Sequence, residues 1–77
     1  MQFIIRGKPF SIEKSDIVAR MSGKQPDRVN KYYVSISGKD YPIKQVIEVV
    51  CGIPPIGFTS MDAYRVLEGL GFDVKVK

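Results

Sequence analysis

The stretch Tyr32-Tyr33-Val34-Ser35-Ile36-Ser37-Gly38-Lys39-Asp40-Tyr41-Pro42-Ile43-Lys44-Gln45-Val46-Ile47-Glu48-Val49-Val50 decides the fold. Tyr32, Val34 and Ile36 alternate with Tyr33, Ser35 and Ser37, which puts an apolar and a polar row on opposite faces of a strand. Gly38-Lys39 predicts a tight turn, and Asp40-Tyr41 a short return strand. Pro42 suits the first turn of a following helix, where its missing N–H costs nothing. Ile43, Val46, Ile47 and Val50 then recur at i, i+3, i+4 and i+7, the pattern of a helix that buries one face.

Upstream, Gln2 to Arg6 reads as a strand closed by Gly7-Lys8-Pro9. Ser11 is the expected cap of a helix carrying Glu13 and Asp16 early, Ile17, Val18 and Met21 at helical spacing, and Gly23 as a stop. Lys24 to Lys31 is a polar, basic connection. Downstream, Gly52 ends the central helix, and Ile53-Pro54-Pro55-Ile56-Gly57 excludes regular structure. Thr59 and Asp62 form a capping-box pattern ahead of Ala63, Val66, Leu67 and Leu70, and Phe72, Val74 and Val76 alternate as a closing strand. The order predicts one α+β domain spanning 1–77: a small, largely antiparallel sheet of three or four strands, its apolar face covered by three helices. No internal repeat is read, and no linker divides the chain.

With 77 residues, 44% hydrophobic and 26% charged, the chain has the composition of one small folded domain. No apolar run approaches the roughly 18 residues of a membrane span, and the amino terminus lacks the pattern of a secretory leader, so a cytoplasmic location is expected. There is no histidine and one cysteine, which excludes imidazole bases, Ser-His and Cys-His nucleophiles and an internal disulfide. Cys51 sits in an apolar run and reads as a small core residue. The carboxylates form no convergent pair, no Gly-rich phosphate loop occurs, and neither a metal nor a cofactor is expected. The chain reads as non-enzymatic.

Net charge is +4, and its placement is uneven. Between Arg6 and Lys44, nine Lys and Arg residues stand against Glu13, Asp16, Asp27 and Asp40. The remainder is slightly acidic. That asymmetry is the footprint of a polyanion binder. A helix-turn-helix fits poorly. Its two helices, near 43–51 and 60–70, would be joined by about eight residues where three or four are usual, and Asp62 and Glu68 face phosphates badly. The hairpin–helix junction fits better: Tyr41 and Pro42 supply an apolar floor, Lys39, Lys44 and Gln45 polar contacts, and Lys31, Arg28 and Arg20 a wider basic surround. The plainer reading is that Tyr41 and Pro42 pack the hairpin end against the core.

The residues Tyr33-Val34-Ser35-Ile36-x-Gly38-Lys39-x-Tyr41-Pro42-x-Lys44, followed by Phe58-Thr59-Ser60, Ala63, Val66-Leu67 and Leu70-Gly71-Phe72-x-Val74, resemble the sulfur-binding domain of phosphorothioate-dependent HNH restriction endonucleases. The match covers about residues 33–74. It implies DNA as the partner, with Tyr41 and Pro42 at a shallow apolar pocket for the backbone sulfur and Lys44 beside it. Ile43 and Gln45 stand where that family carries a second proline and an alanine. An alternative of another class is a small protein-interaction or antitoxin-like regulatory module acting through a homo-oligomer or a protein partner.

Overall fold

The computed structural model describes every residue from Met1 to Lys77. Two β-hairpins, each leading into a helix, form the first two thirds of the chain. The first is β1 (Gln2–Ile5) paired antiparallel with β2 (Lys8–Ser11), followed by α1 (Lys14–Met21). The second is β3 (Tyr32–Ile36) paired with β4 (Lys39–Pro42), followed by α2 (Ile43–Cys51). A single 3-10 turn at Pro55–Gly57, α3 (Ser60–Gly69) and β5 (Lys75–Val76) complete the chain. Antiparallel strands with three helices make it an α+β domain. The strands divide into a two-stranded sheet β1-β2 and a three-stranded sheet β4-β3-β5.

Both hairpins close through a two-residue loop in which both residues have positive φ. Arg6 and Gly7 stand at +52° and +79°, Ser37 and Gly38 at +52° and +82°. This is the type I′ geometry whose twist matches the flanking strands and which favours glycine second. The turn thus falls on Ser37-Gly38, and Lys39 opens β4 rather than sitting in the loop. The first hairpin replaces the expected strand-to-helix passage. Pro9 lies inside β2 opposite Ile4, a position a proline tolerates because β2 is an edge strand. Ser11 ends that strand and caps nothing. Glu13 caps α1 through a capping box with Asp16.

The two units share a sequence. Ile5-x-Gly7-Lys8-x-Phe10-x-Ile12 has the form of Ile36-x-Gly38-Lys39-x-Tyr41-x-Ile43. The structure places the matching hairpin residues in the same register, while the helix begins two residues later in the first unit, so that Ile12 precedes α1 and Ile43 opens α2. The chain therefore contains an internal repeat, contrary to the sequence reading. Arginine, proline and serine at Arg6, Pro9 and Ser11 disguise it.

The core gathers Ile5 and Ile12 from the first unit, Ile17 and Met21 from α1, and Val34, Ile36, Tyr41, Ile43, Val46 and Ile47 from the second unit. Phe58 and the Ala63, Val66 and Leu67 face of α3 close it. Val18 lies 40% exposed, outside the expected stripe, because α1 has only two turns and buries Ile17 and Met21 alone. Helix α2 is central and packs on both α1 and α3. Each of its fully buried aliphatic side chains contributes about 1.5–3 kcal/mol of transfer free energy. Pro42 is the last residue of β4 and the N-cap of α2, one step before the first helical turn expected for it.

Helix α3 begins with the expected capping box: Thr59 accepts from the Asp62 N–H, and Asp62 accepts from the Thr59 N–H. It ends with Gly71 N–H donating to Glu68 and Phe72 N–H to Leu67, the paired bonds of a Schellman motif. The closing strand is shorter than the 72–77 alternation suggests. Only Lys75 and Val76 pair, with Tyr33 and Tyr32. Phe72 and Val74 instead pack, half-buried, against the core. No helix is long and apolar enough to cross a membrane.

Candidate nucleic-acid interface

The entry to α2 is built by three segments. The α1–β3 loop brings Asn30 and Lys31, the hairpin and helix bring Tyr32, Pro42, Ile43 and Lys44, and the start of α3 brings Ser60. These seven residues line a small cleft of about 100 Å³. No carboxylate lines it. The Lys44 ammonium lies 5.2 Å from the Phe58 ring centroid, and that of Lys31 lies 5.1 Å from the Tyr32 ring. Each ring face attracts the cation above it, which narrows where the two lysines roam. Twelve Lys and Arg residues are present, and two of them, Arg6 and Arg65, form ion pairs, both with Asp62. The other ten, Lys31 and Lys44 among them, have no carboxylate within ion-pair distance.

The start of α2 differs from the other helix starts in the chain. In α1 the Asp16 carboxylate accepts from the Glu13 N–H and the Glu13 carboxylate pairs with the amino-terminal ammonium, and in α3 Thr59 and Asp62 each accept a backbone N–H of the other. At α2 no side chain caps the helix and no acid lies in its first turn. The sequence repeat aligns Lys44 with Glu13, although Glu13 is the N-cap of α1 and Lys44 the second residue of α2. One entry carries its own anion; the other carries a cation beside uncapped N–H groups, which favour an anion from outside.

Two of the expected contact residues turn inward. Tyr41 is 2% exposed, so its ring is core and not an outward floor. Its hydroxyl donates toward the Lys24 carbonyl at 2.8 Å and the Met21 carbonyl at 3.3 Å. Gln45 is also buried: its amide donates to the Gln25 carbonyl at 2.8 Å and accepts from the Asp27 N–H at 2.7 Å. A phenol and an amide in an apolar interior must find partners, and the departing chain of α1 supplies them. Both residues are corrected from ligand contacts to clamps on the 24–27 segment, which leads into Asn30 and Lys31.

The remaining expected residues are dispersed. Pro42 and Lys44 line the cleft, both half-buried, and Lys31 joins them. Lys39 stands at the opposite end of β4, beside the hairpin turn, where it faces Ile36. Arg20 lines a different cavity with Asp16 and Cys51 on the α1 side. Arg28 is exposed on the connecting loop. Neither Lys39 nor Arg20 meets the cleft, because strand length and helix direction separate them from it. Asn30, Tyr32, Ile43 and Ser60 were absent from the expected contact set. Ser60 had a signal, since it directly follows the Thr59 cap. Asn30 had none, because its place depends on how the loop is pinned.

Cys51 is half-buried between two cavities. Burial pushes its thiol above the ordinary value, and Arg20 opposes that rise. No three carboxylate or thiol groups gather closely enough to hold a metal ion.

Hairpin–helix duplication, a capping third helix and an acid-free cationic cleft at the start of α2 define a small two-unit α+β domain. The chain belongs to the SCO5918-like family, whose model matches residues 1–77. No curated protein and no solved structure matches it.

Proposed function

We propose that this protein is a non-enzymatic module that binds the phosphate backbone of DNA, seating one phosphate in the cleft at the start of α2. The carrying observation is that cleft: Lys31 and Lys44 face it with Asn30 and Ser60, no carboxylate lines it, and no side chain caps the adjoining helix. A phosphate would accept from the Asn30 amide, the Ser60 hydroxyl and the two ammonium groups. The resemblance to the sulfur-binding domain supports the same junction. Pro42, Ile43 and Tyr32 give the cleft an apolar side, which suits a soft, weakly hydrated sulfur better than a second oxygen. Lys39, Arg28 and Arg20 then act as a diffuse positive surround rather than as direct contacts.

The test is fluorescence anisotropy of one labelled duplex, with and without a single phosphorothioate, across a salt series. Binding should weaken steeply with salt, and Lys31→Ala and Lys44→Ala should each reduce the log–log salt slope by about 1, alike for all sequences. Absence of binding to either duplex at low salt defeats the proposal. Equal affinity for the two duplexes removes the sulfur and keeps the backbone.

A further inference from the structure

The chain has four strand edges open to another strand. Three carry residues that discourage pairing: β2 has Lys8 and Pro9, β4 has Lys39, Asp40 and Pro42, and β5 is two residues long and flanked by lysine. The edge of β1 carries none. Its sequence is Gln2-Phe3-Ile4-Ile5, without charge or proline, and Ile4 is 72% exposed. Unprotected apolar edges are a hazard that folded proteins ordinarily blunt.

Register shows what this edge offers. In a two-residue hairpin the pair flanking the loop, here Ile5 and Lys8, exchanges both ladder bonds, and bonding alternates from there. The N–H and C=O of Ile4 and Gln2 therefore point away from β2. None of the hydrogen bonds outside the regular elements reaches them. Beside this edge runs α3, held close because Gly69 has no side chain: a Cβ there would meet the Phe3 ring at 2.9 Å. Between strand and helix lies a groove of about 460 Å³ lined by Gln2, Phe3, Ile4, Asp62, Arg65 and Val66, within the roughly 300–1,000 Å³ of ligand clefts.

We infer that the free edge of β1 and the groove against α3 form a docking site for an extended, acidic segment of a partner protein, which adds a strand to the β1-β2 sheet. Charge selects the occupant. Arg6 and Arg65 are 58% and 73% exposed at the rim and share the single carboxylate of Asp62, itself 13% exposed. The rim is thus net positive and matches a carboxylate on the incoming strand. A second copy of this chain would bring another Arg6 and Arg65 to the same rim, with a net charge of +4 behind them. Main-chain bonds to Gln2 and Ile4 would supply affinity, and an apolar side chain over Phe3 and Val66 with a carboxylate at Arg65 would supply selectivity. This site is separate from the α2 cleft and does not rest on the nucleic-acid reading.

The test uses the whole chain and an end-blocked hexapeptide alternating valine and glutamate, with a valine–lysine peptide as control, read by amide hydrogen exchange and anisotropy. The glutamate peptide should slow exchange at Gln2 and Ile4 by about tenfold or more, and the lysine peptide should not. Arg65→Ala should weaken binding roughly two- to fivefold, the range of an exposed ion pair. Ile4→Glu places a carboxylate at an exposed position, so the fold should persist by circular dichroism while repulsion of the acidic peptide abolishes the protection. Lys44→Ala should leave peptide binding unchanged. Unaltered exchange at Gln2 and Ile4 in millimolar glutamate peptide overturns the inference. Concentration-dependent protection of the same amides without peptide also overturns it, because the edge then belongs to a second copy.

Discussion

Replacing Tyr41 by phenylalanine removes one oxygen from the interior and leaves the ring in place. The hydroxyl carries one proton and faces two carbonyls, Lys24 at 2.8 Å and Met21 at 3.3 Å, so it makes one good bond and one shared one. Losing a net hydrogen bond costs about 0.5–1.5 kcal/mol, and leaving a buried carbonyl unpaired costs about 1–3 kcal/mol. The Lys24 carbonyl belongs to an exposed residue and can turn to water. The expected loss is therefore at the lower end, about 1–2 kcal/mol. Domains of this length melt about 4–8 °C lower per kcal/mol, so Tm should fall by roughly 5–15 °C. Total stability on the order of 4–12 kcal/mol leaves the variant folded. Urea denaturation should show a lower midpoint with an unchanged slope, and DNA affinity at 10 °C, where the variant is folded, should stay within twofold. An unchanged Tm together with lost DNA binding would refute the reasoning, because it would put the phenol on the ligand and not on the loop.

Gln45→Ala should free the 24–27 segment: exchange of the Asp27 amide should accelerate, with a stability loss of about 1–3 kcal/mol by urea titration. Gly7→Ala and Gly38→Ala should each cost about 1–2 kcal/mol, since both demand the same positive φ at the second loop position, and unequal losses would count against equivalent turns. Asp62 is held below the ordinary carboxylate range, first by the Thr59 N–H; burial opposes this as the next largest effect, and the Arg65 and Thr59 side chains and the charge of Arg6 lower it further. Its folded pKa lies below its unfolded one, so the stabilisation is complete above about pH 4 and fades as pH falls through the lower folded value. Urea midpoints measured from pH 5 to 2 should show that acid step in the wild type and a smaller one in Asp62→Asn. The Cys51 thiol, raised by burial, should alkylate slowly at pH 7, and unfolding in urea should speed the reaction.

Elements that depend on near neighbours were legible. The strand at 32–36, the stripe of the helix at 43–51 and the Thr59–Asp62 box each rest on contacts within a turn or a pleat. The first hairpin was missed because Pro9 within it reads as a breaker. An edge position, a long-range property, excuses it. The internal repeat was hidden for the same reason. Of the candidate site, Lys44, Pro42 and Lys31 were legible from charge and turn chemistry. Asn30 was not, because its place follows from a loop tied down by Tyr41 and Gln45.

The amino-acid order by itself determined the antiparallel α+β class, the helix faces, the capping of α3 and the uneven charge, all of which follow from periodicity and short-range backbone chemistry. Tertiary structure alone decided that Tyr41 points inward, since its acceptors lie 17 and 20 residues away, at the end of α1 and on the loop beyond it. It likewise decided that Lys31 and Lys44 share a cleft, and that β1 keeps a bare edge beside α3. Side-chain partners across loops are set by packing the whole chain at once, and no window along the sequence contains that information.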